Sequence, residues 1–327
     1  MKGKIGFEEH FAIEDTLEQS KAFAGDGGIW NDFTREILDL NDERLEHMDK
    51  SGIELALLSL NAPGLQAILN ADKALEVAKK ANDAMAEAIG KYPGRYEGMA
   101  ALPMHDPDVA ATELTRCVKD LEFKGILVNG FQQIDQPDNV AYYDQPEYRT
   151  FWATVQELDI PFYLHPRMTI PTQARAYQDH PWLMSAPWGF AVETSIHALR
   201  MCGSGMFDDY PNLKICLGHL GEGIPFGLWR IDARMRFSAR AYRGKRPLGD
   251  YFRENFHLTI SGNYDDAAFR CTLDTFDNDK VYYSSDYPFE RMEDASDWFD
   301  NTSVINDDER HKMGRTNAIN LFKLNLD

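Results

Sequence analysis

The 327-residue chain predicts a single (β/α)8 barrel, and three observations carry that prediction. Short runs rich in Val, Ile, Leu and Tyr recur eight times, with longer amphipathic stretches between them, which is the pattern of repeated βα units around a parallel sheet. Acidic and imidazole side chains stand where several of these runs stop, the end of a barrel that carries chemistry. The length fits one barrel with insertions, and no low-complexity tract or disordered tail marks a boundary, so residues 1–327 read as one domain.

Taken in order, the strand-like runs cover residues 4–10, 54–60, 96–103, 124–130, 161–165, 213–219, 257–262 and 281–286. The clearest helices are 72–91, with apolar residues at helical spacing, and 106–121, where Asp106 followed by Pro107 makes a cap and first turn. Two connections are far longer than the usual few residues, from 11 to about 39 after the first strand and from 166 to about 187 after the fifth. They carry Phe11, Phe23 and Trp30, then Tyr177, Trp182 and Trp188. Such loops either cover the barrel mouth or enclose a substrate as a lid.

Bulk composition excludes several functions. Lys plus Arg total 34 against 53 Asp plus Glu, a net charge of -19, which repels nucleic acid and anionic membranes. A small anionic substrate would then need local positive charge from a metal or an arginine, and Arg167 and Arg230 are placed for that. No apolar run reaches membrane-spanning length and the N-terminus resembles no signal peptide, so the cytoplasm is expected. Cys117, Cys202, Cys216 and Cys271 lie far apart, as reduced thiols do.

The strand ends hold the chemistry. Side chains alternate along a strand, so Glu8 and His10 face one side of the first strand and Glu9 the other. A lone inward Glu would be costly to bury, and a cation beside it removes that objection. With His165 at the fifth strand and Asp286 at the eighth, the set becomes two nitrogens and two carboxylates, suited to one Zn2+ or Mn2+ ion and no organic cofactor. The fourth strand offers only Asn129 at its mouth, which argues against a second, bridged metal. His219 closes the sixth strand, and Glu222 is expected in the first turn of the following helix, able to orient the imidazole. The remaining histidines, His47, His105, His180, His197, His257 and His311, lack such a setting.

These motifs resemble a known family over almost the whole chain, the γ-resorcylate (2,6-dihydroxybenzoate) decarboxylases on the decarboxylase branch of the amidohydrolase superfamily. The resemblance lies in EEHFA at 8–12, LSLNAPG at 58–64, PFYLHPR at 161–167, GHLGEGIP at 218–225, WRID at 229–232, SSDYPFE at 284–290 and the closing GRTNAINLFKL. It implies that Glu8, His10, His165 and Asp286 ligate the metal and that His219 and Glu222 form the polar pair beside the substrate. It further implies that Phe23 and Phe289 wall an aromatic ring, that Asn129 and Arg230 lie near substrate polar groups, and that Arg230 reaches a neighbouring subunit of a homotetramer built from dimers.

The reaction expected is metal-dependent, non-oxidative decarboxylation of a small aromatic carboxylate, 2,6-dihydroxybenzoate or a close relative such as 2,3-dihydroxybenzoate. Direct loss of CO2 would leave an in-plane aryl carbanion that the π-system cannot stabilise, so ring protonation must come first. Asp286 is the leading proton donor; His219, with Glu222 behind it, replaces it if metal ligation keeps Asp286 ionised. The alternative reading is a metal-dependent hydrolase of a small ester or lactone, in which Asp286 acts as base. A third is a barrel that binds without turnover.

Overall fold

The computed structural model describes residues 1–25 and 27–326. Eight parallel strands form one sheet in chain order: Lys4–Phe11, Ile53–Leu60, Tyr96–Ala100, Gly125–Asn129, Phe162–His165, Ile215–Leu217, Phe256–Thr259 and Val281–Tyr282. The seam between last and first strands closes through few bonds. Asp286 donates its backbone N–H to the Glu8 carbonyl (2.9 Å) and His10 donates to the Tyr287 carbonyl (2.7 Å). The Ser284 hydroxyl accepts from the Phe7 and Glu8 N–H groups at 3.0 and 2.7 Å. All eight strand-like runs are thus strands, and the expected (β/α)8 architecture is present.

The helices form where capping and periodicity favour them. Asn70 caps Ala71–Lys91 by accepting the Lys73 N–H, and the buried Ala74, Val77, Ala78, Ala81 and Met85 recur at three- and four-residue spacing on its inner face. Asp106 caps Pro107–Lys119 by accepting from Asp108 and Val109, with Pro107 in the first turn.

Differences from the sequence reading lie in the connections. The first long connection is largely helical, with turns at Glu14–Leu17 and Glu18–Ala22 and a full helix at Gly28–Leu38. The one after the fifth strand holds 3-10 turns at Pro171–Tyr177 and Pro181–Met184. An antiparallel hairpin, Gln132–Ile134 with Gln136–Ala141, follows the fourth strand. No helix among the described residues is long and apolar enough to cross a membrane.

One irregularity positions the site. On the first strand Gly6 pairs with Ala56 and Glu9 with Leu58, so Phe7 and Glu8 together oppose the single residue Leu57. This is a β-bulge. Ile5 and Phe7 pack with Leu55, Leu57, Met99, Leu127, Tyr163, Cys216 and Tyr282, filling the barrel interior. Glu8 follows immediately and also faces inward, because the bulge resets the alternation; Glu9 turns outward to Ser284 and Ser285. Strict alternation carried back from Glu8 and His10 would have placed Ile5 and Phe7 on the outside.

Candidate active site

Glu8, His10, His165 and Asp286 converge, with their ligand atoms all within 4.8 Å of one another. His10 Nε2 lies 3.1 Å from Asp286 Oδ1, and His165 Nε2 lies 3.5 Å from Glu8 Oε1. All four side chains are buried. Glu8 Oε1, His10 Nε2 and Asp286 Oδ1 nevertheless have no hydrogen-bond partner, a costly condition unless a cation takes all three. The donor set and these orphaned atoms fit one divalent ion. On the far side of the His10 ring, Ser59 Oγ sits 3.0 Å from Nδ1 and fixes which way Nε2 points. Burial, and then the charge of Asp286, push the Glu8 carboxyl up to about 7. A bound cation would counter both effects.

His219 and Glu222 stand beside this centre, but not as the sequence suggested. Glu222 is not in the first turn of the helix Ile224–Met235. Residues 219–223 form a left-handed turn in which His219, Leu220, Gly221, Glu222 and Gly223 all have positive φ, between 51° and 84°. Left-handed backbone costs a non-glycine residue roughly 1–2 kcal/mol, and three of these five are not glycine. Asp286 shares the conformation, with φ 71°. Strain of this kind persists where surrounding contacts over-determine it, and it clusters at functional sites.

The turn brings His219 Nδ1 within 2.7 Å of Glu222 Oε1, and leaves Nε2 3.5 Å from Asp286 Oδ2. Burial alone would discharge His219, but the Glu222 charge and the contacts with Asp286 and Glu222 hold the imidazole well above its ordinary range. Burial works to raise Asp286, yet His10 and His219 outweigh it and keep the carboxyl below the usual range. Gly262 makes room for this pair, because a Cβ there would lie 2.8 Å from His219 Cδ2 and 3.5 Å from Asp286 Oδ2.

Above these groups opens a cavity of about 830 Å3, lined by His165, His219, Glu222 and Asp286 below and by Phe23, Phe289, Phe190 and Trp188 around. Phe289 links the walls to the centre, its ring 5.5 Å from His10 and 5.8 Å from Phe23. Of the six loop aromatics, Phe23 and Trp188 line the cavity; Phe11, Trp30, Tyr177 and Trp182 do not. Asn129 is buried behind the wall, its amide N–H2 directed at the Leu60 and Asn61 carbonyls, and its Oδ1 has no partner.

Arg167 is a correction. Its guanidinium donates to the Gln66 and Phe131 carbonyls and to Gln133 Oε1 and lies over the Phe131 ring, so it braces the hairpin instead of meeting an anion. Arg230 is exposed on the helix Ile224–Met235 and does not line the cavity, although its neighbour Ile231 does. Sequence reasoning missed Phe190, Asn263 and Glu290 on the cavity wall. Phe190 falls on a helix with weak periodicity, and Asn263 and Glu290 follow strand ends at positions that parity does not select.

Fold and site together define a (β/α)8 barrel with one buried four-donor centre at the C-terminal ends of its strands. The amidohydrolase family model matches residues 35–324, and the chain belongs to that family. Within it, the chain is 50% identical over 327 residues to a γ-resorcylate decarboxylase of Rhizobium sp., covering 99% of each. It superposes with a TM-score of 0.97 on a dihydroxybenzoic acid decarboxylase from Polaromonas sp. solved with manganese and the inhibitor 2-nitroresorcinol, at 50% identity, covering 100% of this chain and 98% of that one. A 5-carboxyvanillate decarboxylase from Sphingomonas paucimobilis, 31% identical, gives 0.88 over 99% of this chain and 100% of its own. The near-full-length identity places the chain on the decarboxylase branch.

Proposed function

We propose that the protein is a carboxy-lyase that converts 2,6-dihydroxybenzoate to 1,3-dihydroxybenzene and CO2. The observation that carries this reading is His219, fixed by Glu222 on one side and facing Asp286 on the other, at the floor of an aromatic-walled cavity. The relatives' substrate supports the choice of ring. Glu8, His10, His165 and Asp286 would hold a single divalent ion, Mn2+ in preference to Zn2+ by analogy with the Polaromonas relative. When bound, that ion supplies positive charge to fix an anionic carboxylate and the adjacent phenolic oxygen.

The protein's own groups do the rest. Phe23, Phe190 and Phe289 hold the ring in an apolar slot that excludes water. A hydroxyl ortho to the carboxylate enriches the carboxylated carbon in electron density. His219, charged because Glu222 stabilises the imidazolium, gives its Nε2 proton to that carbon. A C–H bond forms, the C–C bond to the carboxylate breaks, its electron pair restores the aromatic ring, and CO2 leaves. Asp286, held ionised, orients the donor proton instead of supplying its own.

Incubating the Mn2+-loaded protein with 2,6- and 2,3-dihydroxybenzoate and a panel of esters and lactones, while following CO2, tests the assignment. CO2 release from 2,6-dihydroxybenzoate without ester turnover is expected. Asp286→Asn should lower kcat by about a thousandfold or more with an unchanged circular dichroism spectrum; near-normal CO2 release from it would sink the proposed roles.

We further propose a cytoplasmic homotetramer of paired dimers. The four cysteines are unpaired, as in a reducing compartment. Phe226, Trp229 and Phe237 are 89%, 79% and 77% exposed on one chain, more aromatic surface than a monomer leaves in water. Arg230 lies among them and would reach the neighbouring subunit. Light scattering on the eluted protein tests the assembly.

A further inference from the structure

Only one of the two Glu8 oxygens is free of hydrogen bonds. Glu8 Oε2 lies within hydrogen-bond reach of the hydroxyls of Tyr163, Ser261 and Thr259, the last at 3.1 Å. Tyr163 stands two residues before His165 on the fifth strand, so both face the barrel interior. Thr259 ends the seventh strand and Ser261 follows two residues on, their hydroxyl oxygens 2.6 Å apart. The sixth strand contributes by leaving a side chain out: a Cβ on Gly218 would lie 2.9 Å from both Glu8 Oε1 and the Tyr163 hydroxyl oxygen.

Each hydroxyl carries one proton, and Thr259 and Ser261 stand close enough that one donates to the other; Tyr163 and the remaining member of that pair fill the two lone-pair directions of Glu8 Oε2. The other oxygen, Oε1, has no hydrogen-bond partner and faces His165. We infer that Tyr163, Thr259 and Ser261 form a hydroxyl cradle that confines Glu8 to ligation through one oxygen, and so keeps a coordination position open for the second oxygen of a chelating substrate. The inference rests on the single-ion reading of the four-donor centre. These three are positioning residues, since they act through Glu8. Without the cradle the carboxylate is free to turn both oxygens to the ion and occupy the position that a carboxylate and phenolate pair requires.

The test counts waters bound to Mn2+ in the substrate-free holoenzyme, by oxygen-17 water broadening of the Mn2+ electron paramagnetic resonance signal. In Tyr163→Phe/Ser261→Ala the count should fall by one, because the second Glu8 oxygen displaces a water, and KM for 2,6-dihydroxybenzoate should rise about tenfold. Ser261→Thr, which keeps the hydroxyl, should retain the wild-type count. An unchanged count in the double variant overturns the cradle, whatever happens to its stability. Should the double variant fail to fold, Tyr163→Phe, which leaves Oε2 only one donor from the Thr259–Ser261 pair, carries the same measurement. A wild-type protein that binds no Mn2+ would remove the metal reading and the cradle with it, whereas one bound ion with unchanged variants removes the cradle alone.

Discussion

At the scale of single residues, burial does not separate a structural histidine from a chemical one; the partners of each ring nitrogen do. His197 is as buried as His10, but its Nε2 accepts the Tyr143 backbone N–H at 3.1 Å. His257 Nδ1 pairs with the Tyr282 hydroxyl at 2.6 Å. Burial pushes both rings down to about 3. In the unfolded chain these histidines take up protons near 6.5, while in the fold they stay neutral to about 3. Their contribution is therefore complete above 6.5 and is lost progressively as pH falls toward 3. At pH 5 each should cost roughly 2 kcal/mol. Urea unfolding at pH 7 and 5 checks this: His257→Gln should lose less stability between the two than the wild type, and equal losses would refute the assignment. Carboxylates and imidazoles at strand ends were legible in the sequence because their types are costly to bury without a purpose. Ser59, Tyr163, Thr259 and Ser261 were not, because a hydroxyl in a strand is ordinary until its partner is known.

At the scale of elements, the turn at 219–223 is where local preference gives way most. Nothing in GHLGEG announces five successive left-handed residues, and the natural reading continues the helix back to Glu222. Gly221 is central to the turn. Its φ is 84°, and a Cβ would lie 3.0–3.2 Å from the Leu258 side chain and Pro225 Cδ. Gly221→Ala should destabilise the fold by about 1–2 kcal/mol and lower kcat by displacing His219, which urea unfolding and CO2 release measure together. The strands were legible because their apolar runs are short and repeated. The helix Gly28–Leu38 was not, because Trp30, Phe33 and Ile37 stand in a segment opened by glycines that reads as loop. The Gln132–Ala141 hairpin escaped because its second strand is mostly exposed and polar.

At the scale of the whole molecule, a net charge of -19 surrounds a site proposed to admit an anion. Repulsion between like charges slows encounter and is screened over about 10 Å at 0.1 M salt. The value of kcat/KM for 2,6-dihydroxybenzoate should therefore rise several-fold between 10 and 200 mM of an inert salt such as potassium chloride, with kcat nearly constant. A fall with salt would mean that local positive charge dominates the approach. The barrel was visible in the order of apolar runs, but the exposed aromatic face of Ile224–Met235 became visible only once the helix showed which residues it turns outward.

The bulge at Phe7 and Glu8 bears on how this strand tolerates changes in length. It puts a core-filling side chain and a ligand on consecutive residues, so losing one residue just before Glu8 would return the strand to plain alternation and still leave Glu8 and His10 facing inward. An insertion between Glu8 and His10 would instead turn one of them out of the cavity. Below Glu8 the orientation of the ligands thus survives the loss of one residue, at the expense of the Phe7 packing, whereas above it the spacing is fixed.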